Sequence, residues 1–132
     1  FREEIELART LDLPIVIHSR KAESKVLDIL NEVNFTRFAM HCFVVKELGQ
    51  RIVQQGGLIS LPTIKSKDKK YIMKHIEAEH FLCETDSPYL WPERNEPANV
   101  KAVYEEIASA KNVQIEKIEE TISQNVEKFF NK

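Results

Sequence analysis

The chain has 132 residues, 42% of them apolar and 30% charged, which is enough for one globular core but short for a complete eight-stranded βα barrel of ~250 residues. Its formal net charge of −2 provides no global attraction to nucleic acid, so any phosphate recognition has to come from local groups. No apolar run approaches the ~18–20 residues of a membrane-spanning helix, and the opening Phe1-Arg2-Glu3-Glu4 reads as helix rather than signal peptide, so no membrane partner and a cytoplasmic setting are expected.

In chain order, Ile5, Ala8 and Leu11 mark a first helix. Pro14-Ile15-Val16-Ile17-His18 follows as an apolar run of strand length. Ala22, Val26, Ile29, Leu30 and Val33 then recur at steps of three and four, which predicts an amphipathic helix ending at Asn34. A second strand is predicted in Arg37-Phe38-Ala39-Met40-His41-Cys42-Phe43, and behind it a helix carrying Val45, Leu48, Ile52 and Val53. Gly56-Gly57 stops that helix and permits the turn into a third strand, Leu58-Ile59-Ser60-Leu61. The basic run Lys65-Ser66-Lys67-Asp68-Lys69-Lys70 has two readings, a patch that steers a phosphodiester and the solvated start of a helix, and the second is the expectation. Ile72, Met73 and Ile76 form the apolar face of that helix, and Phe81 to Thr85 is the fourth strand.

Trp91 to Pro97 reads as loop, with Asn99 as N-cap of a helix bearing Val100, Val103, Tyr104 and Ile107. A last helix presents Ile115, Ile118, Ile122, Val126 and Phe129. No linker divides the chain. The expected fold is α/β: a partial TIM (β/α) barrel of about four parallel strands alternating with helices, one unit over residues 1–132.

Chemistry collects where these strands end. Alternation puts Leu82, Glu84 and Asp86 on one face and Cys83 and Thr85 on the other. Two acids on a buried strand face are costly unless they meet a cation, so a metal or a basic substrate is the natural partner, against the alternative of an acid pair capping the next helix. His18 and His41 close the first and second strands. A single histidine in that position is more often structural, but two of them with Asp86 at equivalent strand ends point to a shared site, because parallel α/β folds gather their functional groups there. Cys42 and Cys83 belong to no Cys-x-x-Cys pair and are expected as reduced, buried thiols.

The stretches Leu13-Pro14-Ile15-Val16-Ile17-His18-Ser19-Arg20-Lys21-Ala22, His41-Cys42-Phe43, Glu84-Thr85-Asp86-Ser87-Pro88-Tyr89-Leu90 and Arg94-Asn95-Glu96-Pro97 together resemble the TatD-related metal-dependent deoxyribonucleases. Asn125-Val126-Glu127-Lys128-Phe129-Phe130 resembles the family's closing pattern, so the likeness covers essentially the whole chain. It implies a TIM-barrel hydrolase that cleaves phosphodiester bonds of DNA at a site holding two divalent ions, zinc, manganese or magnesium. By position His18 and His41 resemble ligands of one ion and Asp86 a ligand of the other. Glu84 is a candidate catalytic residue, as orienter or proton carrier, and Arg20 a candidate phosphate contact; a salt bridge at the mouth is the alternative for each.

The departures matter too. The family's His-x-His pair and bridging glutamate do not occur in this sequence, and Val44-Val45 replaces its usual Ser-Gly turn. The expectation is therefore the carboxyl-terminal half of such a barrel, weak or inactive by itself, whose partner is the missing amino-terminal half or a second copy covering the open sheet edges. A non-catalytic half-barrel that self-associates and an amidohydrolase-like metalloesterase are the competing readings.

Overall fold

The computed structural model describes residues 1–131. Strands β1 (Ile15–Ile17), β2 (Phe38–Met40), β3 (Leu58–Leu61) and β4 (Phe81–Cys83) form one all-parallel sheet in the order β1-β2-β3-β4. Parallel neighbours require a crossover, and helices supply it: α2 (Glu23–Glu32), α3 (Lys46–Gln54) and α4 (Lys67–His75) link successive strands. Helix α1 (Arg2–Leu11) precedes the sheet, and α5 (Val100–Lys111) and α6 (Ile115–Phe130) follow it. The expected α/β fold of four parallel strands alternating with helices is the one observed.

Register sorts the strand residues into two faces. Ile17 pairs with Met40, Met40 with Ile59, and Ile59 with Phe81, so these residues share one face with Phe38 and Leu61, and all are buried. They pack with Ile5, Leu27, Leu30, Ile52, Ile72, Val103 and Ile107 from the helices to make the main core. The opposite face carries Val16, Ala39, Leu58, Ser60 and Leu82. Phe129, near the end of α6, turns under this face and buries Ala39 and Leu82 in a second small cluster. Val16 on the same face stays 51% exposed.

The two adjacent glycines act differently. Gly56 adopts φ 81, the left-handed turn a glycine takes without penalty, whereas a Cβ on Gly57 would lie 2.4 Å from the Phe38 ring. Gly57 is thus needed for close packing, beyond the turn expected of the pair.

Several helix faces differ from their predicted stripes. In α2 the fully buried residues are Leu27 and Leu30, with Val26, Ile29 and Val33 half-buried and Ala22 exposed, because the helix turns its Leu27–Leu30 ridge to the sheet. Leu11 is 50% exposed at the end of α1. In α6 Val126 is exposed and Asn125 is buried instead. The Asn125 amide donates to the carbonyls of Ala78 and Phe81 at 2.8 Å each, tying the helix to the start of β4. Asn99 does not cap α5 with its side chain; a 3₁₀ turn over Pro97–Asn99 leads into the helix, and the Asn99 amide donates to Asn95 Oδ1.

The basic run is only partly a solvated helix start. Ser66 caps α4 by accepting from the Lys69 amide, and Lys67 and Lys70 are exposed. Lys69, however, is fully buried, with its ammonium 2.8 Å from the Pro62 carbonyl and 2.9 Å from Glu106 of α5. A buried cation survives only with such partners.

Candidate active site

The residues that continue the open face past the strand ends are His18, His41 and Glu84. The ladder itself continues there: the His41 amide donates to the Ile17 carbonyl at 2.9 Å and the Glu84 amide to Leu61 at 3.0 Å. The His18 and His41 rings lie 5.6 Å apart between centroids. His41 Nδ1 is 2.9 Å from Glu84 Oε2 in hydrogen-bonding geometry and 2.8 Å from Oε1, while the Ser60 hydroxyl also donates to Oε2. A carboxylate accepts, so the neutral His41 ring carries its proton on Nδ1 and leaves the lone pair on Nε2. Nε2 in turn stands 3.8 Å from Asp86 Oδ1.

This arrangement bears on a cation directly. In that neutral tautomer, the bare nitrogen and the carboxylate oxygen facing it are two acceptors with no donor between them. Glu84 Oε1, also buried, has no hydrogen-bond partner. The Glu84–His41 contact matches the carboxylate–imidazole pairing that orients metal-bound histidines, and imidazole nitrogen with carboxylate oxygen suits zinc, manganese or magnesium. Among the described residues, however, no three His, Cys, Asp or Glu side chains converge as a shell around one point. The donors present fit a divalent ion as part of its shell and do not complete it.

The thiol beside the site reports the same field. Cys42 is pushed up to about 11, first by burial and then by the carboxylates of Glu84 and Asp86. Cys83 is raised further, by burial above all, with the Lys69 ammonium opposing and Glu84 adding. Both cysteines are free, as expected, but each is half-buried rather than buried. The strand has ended at Cys42, which takes φ 51, so strict alternation no longer governs its side chain.

Four residues in the loops that follow strands, Lys21, Cys42, Asp86 and Leu90, have positive φ without being glycine. Such conformers persist where surrounding contacts over-determine them. For Asp86 and Leu90 the contacts are visible. Asn95, only 2% exposed, places its Nδ2 2.7 Å from the Thr85 carbonyl, 2.6 Å from the Tyr89 carbonyl and 3.1 Å from Thr63 Oγ1. Its Oδ1 accepts from the Glu96 and Asn99 nitrogens. The Thr63 hydroxyl donates to the Leu90 carbonyl at 2.9 Å and the Ser87 hydroxyl to the Asn95 carbonyl at 2.6 Å.

Of the residues singled out from the sequence, His18, His41, Glu84 and Asp86 therefore meet at one mouth. Glu84 pairs with His41, not with a lysine or arginine. Arg20 is exposed at the rim and forms no ion pair among the described residues. Ser60 and Asn95 were not singled out as site residues. Alternation in Leu58-Ile59-Ser60-Leu61 was the available signal for Ser60, which shares the face of His41 and Glu84. For Asn95 the signal was its place in a quoted motif.

Residues 1–131 match the family model described as TatD related DNase. The chain is 39% identical over an alignment of 136 residues to the uncharacterized metal-dependent hydrolase MJ1582 of Methanocaldococcus jannaschii, covering 98% of this chain and 54% of that relative. It is 34% identical to the human deoxyribonuclease TATDN3 over 135 residues, 98% of this chain and 49% of the relative. The crystal structure of YJJV, a TatD homolog from Escherichia coli, superposes with a TM-score of 0.89 at 22% identity, over 99% of this chain and 55% of that one, which is a likeness of fold. The chain thus spans about half the length of the curated relatives it matches.

Proposed function

The chain belongs to the TatD-related DNase family, and from that premise we propose that it is the carboxyl-terminal half of a metal-dependent hydrolase that cleaves phosphodiester bonds of DNA. The observation that carries this reading is the Glu84–His41–Asp86 alignment, in which one carboxylate fixes the ring and leaves Nε2 facing the other. In this reading His18 and His41 hold one divalent ion and Asp86 contributes to a second, and bound ions supply charge neutralisation at the phosphate and an acidified water. Glu84 is a positioning residue. It touches the His41 ring, and Ser60 holds it in turn. Arg20, exposed beyond β1, is the residue this reading assigns to a phosphate oxygen.

The partner is a set of further strands carrying the remaining ligands. Val16 on the open face and the outer edges of β1 and β4 are the surfaces such strands would cover, and a second copy of this chain is the competing occupant.

The test measures divalent-metal-dependent release of nucleotides from single-stranded DNA by the 132-residue chain alone and mixed with a polypeptide carrying the first half of a related barrel. We expect little turnover alone, turnover on mixing, and its loss with His18→Ala, His41→Ala or Asp86→Ala. Robust turnover by the chain alone would overturn the half-site reading. Hydrolysis of carboxylic esters or amides in place of phosphodiesters would favour a metalloesterase.

A further inference from the structure

The loops after β3 and β4 enclose a second concavity beside the histidine and carboxylate cluster. A larger groove of about 630 Å³ runs between α4 and α5, and Lys65 borders both. The mouth pocket itself measures about 470 Å³, within the range of small-ligand sites, and is lined by Thr63, Ile64, Lys65, Leu90, Trp91 and Pro92. Its walls and Asp86 hang on the same framework: Thr63 bonds the Leu90 carbonyl, and Asn95 joins Thr63 to the carbonyl of Thr85, the residue before Asp86. Pocket and carboxylate are therefore held in fixed relation.

The lining has an unusual composition for a surface loop. Trp91 is the chain's single tryptophan and is 37% exposed; neighbouring Tyr89 is 69% exposed, and neither ring stacks on another among the described residues. Lys65, also exposed, lines the same pocket. A partly exposed indole and an ammonium lining one pocket suit a nucleotide, a planar base for the ring and a phosphate for the ammonium.

Resting on the phosphodiester reading of the adjoining site, we propose that this pocket is a nucleobase subsite for single-stranded nucleic acid, with Trp91 stacking a base next to the phosphate at Asp86 and Lys65 neutralising a neighbouring phosphate. Binding there is tolerant of base identity, because every base offers a π-face.

The experiment uses chelator-treated protein, so hydrolysis plays no part. A six-nucleotide single-stranded DNA should quench the tryptophan emission saturably, with the same midpoint as the anisotropy of a labelled strand. By anisotropy, Trp91→Ala should weaken binding roughly 5- to 150-fold, the span of one base–aromatic stack, and Trp91→Phe should restore part of it. An abasic strand of equal length should bind wild type and Trp91→Ala alike, and Lys65→Ala should flatten the salt dependence by about one charge. Circular dichroism checks that the variants remain folded. Equal affinity for base-bearing and abasic strands, binding without quench, or no binding would each overturn the proposal. Because no turnover is read, Trp91-dependent binding with no hydrolysis in the mixing assay would reject the hydrolase reading and leave the subsite standing.

Discussion

His41 shows how much one side chain's chemistry depends on its neighbours. Its ring has two nitrogens, and Glu84 and Ser60 decide which of them is free. Replacing Glu84 by Ala should lower divalent-metal affinity of the assembled site about 10- to 100-fold with the proposed ligands intact, whereas His41→Ala removes a proposed ligand. Competition for zinc against a chromophoric chelator checks this, and unchanged affinity in Glu84→Ala would show that the orienting contact is dispensable. The thiols give a second expectation. With its folded value pushed up to about 11 from the ordinary 9.0 of a free thiol, Cys42 has roughly a hundredfold fewer thiolates at pH 8 than in the unfolded chain. Higher nucleophilicity per thiolate recovers part of that, leaving alkylation about tenfold slower than in urea. Cys83, shifted further by burial, should react more slowly still; rapid labelling of both in the native chain would contradict the account. The meeting of His18, His41, Glu84 and Asp86 was legible because strand alternation is local. The pairing of Glu84 with His41 was not, since it joins residues 43 positions apart.

Among the elements, the loop from Glu84 to Glu96 depends most on a single residue. Asn95→Ala would leave the Thr85 and Tyr89 carbonyls without their shared donor, at a cost of about 1–3 kcal/mol. Urea denaturation measures that loss, and the oligonucleotide affinity should fall with it because the same amide braces Asp86 and the Trp91 pocket. A drop in stability with unchanged affinity would separate the two. The α4–α5 contact offers another test. Lys69→Ala strands Glu106 and the Pro62 carbonyl and should destabilise by about 3–5 kcal/mol, while the double change Lys69→Met with Glu106→Leu should cost little, because an apolar pair avoids the desolvation of both charges. Sequence pattern could not foresee Lys69 in the interior. A lysine in a basic run reads as solvated unless the carboxylate that receives it, 37 residues on, is known to be adjacent. The same holds for Asn125, which looks misplaced on an apolar stripe until its two carbonyl partners at β4 are seen.

At the scale of the molecule, strand count, strand direction and helix alternation followed from short apolar runs separated by 3.6-period stripes, and the sheet matches that expectation. What periodicity does not carry is which face of the sheet is left open, since both faces begin as hydrophobic strand. Phe129 closes the lower part of that face and the histidine and carboxylate cluster occupies its upper end. One consequence concerns the lengths a lineage of such chains can tolerate. Core and candidate site are interleaved residue by residue on the same strands: Met40 packs and His41 faces the cluster, Cys83 packs and Glu84 meets His41. Point substitutions in these strands change one property at a time, but inserting or deleting a single residue inside β2 or β4 exchanges every inward group for its outward neighbour. Length variation among descendants should therefore be confined to the turns, and a frame of four very short strands can drift far in composition while its spacing stays nearly constant.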